Sequence, residues 1–253
     1  MTGHTTLEVF EPPHLLTSPL NHYLGKGPGD ELALLCSSFP RNWSIYMMGG
    51  VLRDLLLQEL REIKVCNADV DLVINGAESS SELCDKLRDY RIRQNDFGGA
   101  KCQVSPSGVI FDVWRISDHV GMSSAPEPHT IEQLLRHNLL NVDAALIDLQ
   151  TGYLYNLGCI EAIQKREIAL IGPEGISNRL ASPQAAHIIL IAFKTGFGLS
   201  IEALEFVREA CANSQAKSDL MRIVSRKMPR TASQVEAFLN RLLEEEPWPT
   251  MAT

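Results

Sequence analysis

"MMGGVLRDLLLQELREIKVCNADVDLVI", residues 47–74, decides how the rest of the chain is read. The apolar run "WSIYMMGG" (43–50) predicts a buried strand ending in paired glycines, and Val51, Leu52, Leu55, Leu56 and Leu60 then recur at helical spacing. "ADVDLVI" (68–74) returns to a period of two. In a strand, Asp69 and Asp71 share one face with Cα atoms about 6.6 Å apart. Ala68, Val70, Leu72 and Ile74 take the other, buried face. Two ionised carboxylates held this close repel unless a cation sits between them, and oxygen ligands of this kind suit Mg2+ or Mn2+. Asp69 and Asp71 are therefore the candidate metal ligands.

Gly49 and Gly50 fall at the strand-to-helix turn. There the missing side chains let a ligand approach the backbone, and free N–H groups at the helix start attract anions. A triphosphate fits such a corner. Arg53 and Asp54 lie in the first helical turn. The helix dipole favours Asp54 there, whereas Arg53 wants an anionic partner. Asp112, in "VIFDVWRI" (109–116), supplies a third carboxylate if its strand pairs beside the first.

Working outward, residues 1–28 carry Pro, Gly, Ser and Thr without a sustained period and predict an irregular arm. Asp30 caps a short helix, "ELALLCSSF". "SSELCDKLRDY" reads as a helix, and "KCQVSPSGVIFDVWRI" as a hairpin turning at Pro106, Ser107 and Gly108. "SDHVGMSSAPEPH" is a predicted mobile loop. Thr130 and Gln133 make a capping-box pattern ahead of a helix, and "VDAALIDLQTGYLYN" predicts a strand and turn. Beyond Gly158 only helices are expected. The fold class is α+β: a head of mixed sheet and flanking helices at 29–157, then an all-helical extension at 158–253.

Composition narrows the function. A length of 253 residues with 45% hydrophobic content allows a sizeable core. No apolar run approaches the roughly 20 residues needed to span a bilayer, so a cytoplasmic protein with no membrane partner is expected. The six cysteines stand singly, without zinc spacing. A net charge of −8 is not the footprint of a protein that grips nucleic acid over its whole surface.

"GGVLRDLLL" followed by "DVD" resembles the Gly-Gly-x-x-Arg-Asp and Asp-x-Asp motifs of the class II tRNA nucleotidyltransferase and bacterial poly(A) polymerase family, within the polymerase-β-like nucleotidyltransferase superfamily. "HTIEQLLRHNLLNVDAALIDLQTGYLYN" resembles the segment closing that family's head. "GCIEAIQKREIALIG" and "SPQAAHIILIAFKTGFGLSIEALEFV" resemble its neck helices. The resemblance covers roughly residues 30–210. It implies two-metal transfer of a nucleotide from a nucleoside triphosphate to an acceptor hydroxyl, RNA or tRNA, with loss of pyrophosphate. Asp69 and Asp71 would ligate the metals, Gly49 and Gly50 would approach the triphosphate, and Arg53 would add positive charge.

The chain departs from that pattern in two places. His137, Asn138, Leu139, Leu140 and Asn141 stand where the family carries Arg-Arg-Asp-Phe-Thr. Ala181, Ser182 and Ala185 stand where a neck Glu-Asp-x-x-Arg pairs with the incoming base. Alanine offers no hydrogen bond, so CCA addition to tRNA is not expected. Two other readings stay open. One is nucleotidyl transfer to a small molecule or protein. The other is an inactive nucleotide-sensing module that binds a protein partner or a second copy of itself. His119, His129, His187 and the basic group Arg222, Arg226, Lys227 and Arg230 are read first as structural or solvated residues.

Overall fold

The computed structural model describes residues 5–24, 28–62, 69–95, 98–106, 108–119, 122, 127–172 and 181–244. Ala68, Cys66, Ser107, Trp248 and residues 120, 121 and 123–126 of the expected mobile loop lie outside them. In chain order the elements are β1 (Glu8–Phe10), α1 (Thr17–Leu24), α2 (Pro28–Cys36), β2 (Ser44–Met48), α3 (Gly50–Arg61), β3 (Asp69–Asn75), α4 (Ser80–Lys86), β4 (Arg91–Gln94), β5 (Ala100–Gln103) and β6 (Ile110–Arg115). They continue with α5 (Ile131–Arg136), β7 (Ala145–Asp148), β8 (Leu154–Asn156), α6 (Cys159–Lys165), β9 (Glu167–Ile168), α7 (Ala181–Thr195), β10 (Gly198–Leu199), α8 (Ile201–Ala210), α9 (Ser214–Lys227) and α10 (Ala232–Glu244).

Eight strands form one mixed sheet in the order β1-β8-β7-β2-β3-β6-β5-β4. Its described pairs are antiparallel except β3 with β6, which run parallel and bring Asp71 opposite Asp112. Alternation along β3 buries Val70, Leu72 and Ile74 on one face, as the period of two predicts. That face meets Leu52, Leu55 and Leu56 of α3 in the larger core. The other face carries Tyr46, Met48, Val73, Trp114 and Leu146 and is covered by Leu134 and Leu135 of α5. The capping box forms as read: Thr130 accepts from Gln133 N–H, and Gln133 reaches back to Thr130 N–H.

Three expectations need correction. Residues 5–24 are not an irregular arm: β1 pairs with β8, and Leu16 and Leu20 enter the core. Glu8 accepts from Asn156 Nδ2 at 2.7 Å and Phe10 packs against the core, contacts set by distant residues, and a three-residue edge strand leaves too short a pattern to read. β4 was not expected at all; its four residues are exposed, so no alternation marks it. The extension after Gly158 is helical apart from β9 and β10, a parallel pair of two residues each.

The larger core runs without a break from head to neck. Ile188, Ile189, Leu220, Val224, Val235 and Leu239 belong to the same cluster as Leu52 and Leu72. No described helix is long and apolar enough to cross a membrane.

Candidate active site

β2 delivers the chain to the sheet's end at Met48, and Gly49 turns it into α3 with φ +73°. A Cβ at Gly49 would stand 2.3 Å from Asp71 Oδ2, so glycine is required for backbone and carboxylate to meet here. Among the described residues no side chain caps α3, and its first internal bond is Arg53 N–H to the Gly49 carbonyl at 3.1 Å. The amides before Arg53 are therefore left for an outside acceptor.

Gly49, Gly50 and Asp71 line one side of a cavity of about 410 Å3. Trp114 of β6, with His119 tilted against it at 6.5 Å between ring centroids, forms a flat wall. Asn138, Asp143, His187 of α7 and Lys227 of α9 complete the lining from the head's last turns and the neck. The cavity therefore sits where head and neck meet.

The expected site residues divide sharply here. Asp71 is partly buried, and its pKa is pushed up to about 7, first by burial and then by the carboxylates of Asp112, Asp143 and Asp69. Asp69 is half exposed on the same face. Asp112 arrives beside Asp71 through the parallel pairing, but both its oxygens are engaged: Lys101 Nζ lies 2.6 Å from one, and Asn95 Nδ2 donates to the other at 2.6 Å. Among the described residues, no group of three or more His, Cys, Asp or Glu side chains is arranged to hold a metal ion. Asp69 and Asp71 share one strand face; Lys101 Nζ lies 3.6 Å from Asp69 Oδ2, whereas Asp71 has no cation in ion-pair range among the described residues, so a single divalent cation bound here would be held by these two carboxylates. Asp112 already holds one N–H donor on each oxygen, so a metal ion would meet it in competition with Lys101 and Asn95.

Arg53 and Asp54 take a different place from the triphosphate corner expected of them. Arg53 is 5% exposed, donates to Asp143 at 2.6 Å and pairs with Asp54 at 3.2 Å. Its charge is consumed inside the protein, because a buried guanidinium must find carboxylates. Asp54 stays buried beside it. Burial raises its pKa against the pull of Arg53, and one oxygen has no hydrogen-bond partner among the described residues.

Asp143 gave no sequence signal beyond being a lone acid between Val142 and Ala144. Burial alone would raise its pKa, yet Arg53 and His187 hold it down at about 2. Its second oxygen meets His187 Nε2 at 2.8 Å. His187 is thus a boundary histidine, as expected, but one that also faces the cavity. Asn138, 9% exposed, lines the same space with a buried Nδ2 that lacks a partner among the described residues. Ala185, at an expected base-pairing position, is fully buried, and α7 contributes His187 to the lining instead.

The chain shares its fold with solved CCA-adding and tRNA-processing enzymes. A CCA-adding enzyme solved with ATP superposes with a TM-score of 0.59 at 19% identity, covering 92% of this chain and 55% of that one. The Thermotoga maritima CCA-adding enzyme complexed with tRNA-CCA gives 0.56 at 17%, covering 92% and 54%. A tRNA-processing enzyme in an apo form gives 0.56 at 16%, covering 97% and 62%. The chain thus spans little more than half the length of these structures. No protein-family model and no curated protein sequence matches it.

Proposed function

We propose that this chain is a cytoplasmic, metal-dependent nucleotidyltransferase that moves a nucleotide from a nucleoside triphosphate to a hydroxyl of RNA or tRNA and releases pyrophosphate. One observation carries the reading: Gly49 brings the uncapped start of α3 against Asp71, so an anion site and a cation site share one corner of the cavity.

Mg2+ or Mn2+ held by Asp69 and Asp71 would supply the charge that draws the triphosphate and acidifies the attacking hydroxyl. The amides of Gly50 and its successors orient the phosphates. Lys227 brings positive charge from the neck side, and Trp114 with His119 offers a stacking wall for a base. The acceptor oxygen bonds to the α-phosphorus as the bond to the pyrophosphate oxygen breaks, and the hydroxyl proton leaves to solvent. Because Asp143 stays ionised and can only accept, His187 Nε2 donates to its Oδ2 at 2.8 Å, which fixes the ring at the edge of the cavity. Beside it, the donor Nδ2 of Asn138 is the polar group the cavity offers to a base edge. Alanines 181 and 185 provide none.

The test is incubation with each α-labelled nucleoside triphosphate, Mg2+ or Mn2+, and total cellular RNA. Label should enter RNA with the wild type and be lost with Asp69→Ala/Asp71→Ala. Equal counts for both proteins in RNA, protein and small molecules would sink the proposal. A second reading, nucleotide binding without turnover, is favoured by the lysine and asparagine already bound to Asp112. It predicts nucleotide-dependent stabilisation with no transferred label.

A further inference from the structure

We infer that Lys101 takes the place of one cation at the carboxylate cluster, so that the site binds a single divalent ion rather than two. The inference rests on the reading of Asp69 and Asp71 as metal ligands and adds the number of ions they share.

The sheet builds this arrangement. Lys101 on β5 pairs with Asp112 on β6, which pairs with Asp71 on β3, so the three side chains form one row across one face. The lysine stem lies along that row. Its ammonium stands 2.6 Å from Asp112 Oδ2 and 3.6 Å from Asp69 Oδ2. The pair is shielded, with Lys101 21% and Asp112 17% exposed, so solvent weakens it less than a surface ion pair.

Asn95 closes the other side of Asp112, and its orientation is not arbitrary. Its Oδ1 accepts from Gly99 N–H at 2.7 Å, and its own N–H donates to the Gly99 carbonyl at 3.0 Å. The turn between β4 and β5 therefore fixes the amide, leaving Nδ2 to donate to Asp112 Oδ1 at 2.6 Å. A metal ion approaching Asp112 would have to displace a charge-assisted bond from a lysine tethered on the adjacent strand. That tether keeps the ammonium at high local concentration whatever the metal concentration outside. Asp71 lies at the far end of the row, against Gly49 and the cavity.

The test counts bound Mn2+, from the electron paramagnetic resonance of the free ion and by isothermal titration, with no turnover needed. Wild type should take up one equivalent, Lys101→Arg one, and Lys101→Met two. Asp69→Ala/Asp71→Ala should take up none. Should Lys101→Met fail to fold, Lys101→Gln, which keeps a hydrogen bond to Asp112 without the charge, should also show the second equivalent. Two equivalents in the wild type, or one in both neutral variants, would overturn the inference. No uptake by the wild type would overturn the metal reading beneath it, which the other outcomes leave standing.

Discussion

Asp71 and Asp143 line the same cavity and are pulled in opposite directions. Burial raises both, but Asp143 faces Arg53 and His187 and is held at about 2, while Asp71 faces Asp112, Asp143 and Asp69 and rises to about 7. The chain supplies Asp143 with its own cation, Arg53, and a hydrogen bond from His187. Around Asp71 it assembles acids against a single, more distant lysine, Lys101, which offsets them only in part. One aspartate therefore belongs to the scaffold joining head to neck, and the other to the site proposed above to take a cation from solution.

The largest effects should separate these roles. Asp69→Ala/Asp71→Ala should cut nucleotide transfer at least ~10²–10³-fold, the scale on which a positioned electrostatic group contributes to catalysis. The fold should survive, as circular dichroism will show. Arg53→Met should do the reverse. It strands Asp143 and Asp54 without their cation and should cost about 3–5 kcal/mol in urea unfolding. Equal stability of this variant and the wild type would erase the distinction between the two acids.

Gly49→Ala comes next. Its Cβ would collide with Asp71 Oδ2 from a backbone at φ +73°, so transfer should fall while stability drops by about 1–3 kcal/mol. Transfer at the wild-type rate would show that Asp71 need not meet the backbone there. Asp71→Asn should stabilise the apo protein. Its carboxyl has a native pKa of about 7 against an ordinary 3.8, so the native state holds its proton more tightly than the unfolded chain. The wild type thus loses stability as pH rises from about 4 to 7, and the variant does not. Melting curves should place Asp71→Asn above wild type at pH 8 and level with it below pH 4. Thr130→Ala, which removes a capping box remote from both acids, should cost only about 1 kcal/mol and leave transfer unchanged.

Features with a local period were legible in the sequence. Asp69 and Asp71 share a face because a strand alternates, Gly49 and Gly50 mark a strand-to-helix turn, and the bonds of Thr130 and Gln133 span three residues. What escaped depends on register and long-range pairing. Lys101 meets Asp112 only because β5 and β6 pair where they do. Arg53 finds Asp143 across 90 residues, and so leaves the triphosphate corner where its place in the motif had put it. His187 and Lys227 each look like ordinary helix residues until α7 and α9 fold against the head. β1 and β4 were missed because edge strands this short carry little apolar pattern.

The most direct test of the contrast is the change in melting temperature on adding Mn2+ to three proteins: wild type, Asp69→Ala/Asp71→Ala and His187→Ala. An ion at 100 times its dissociation constant stabilises the native state by about 2.7 kcal/mol. Wild type and His187→Ala should therefore rise together, while the double variant stays where it was. A shift that survives in the double variant, or disappears with His187, would place the cation on the Asp143 side and contradict the account.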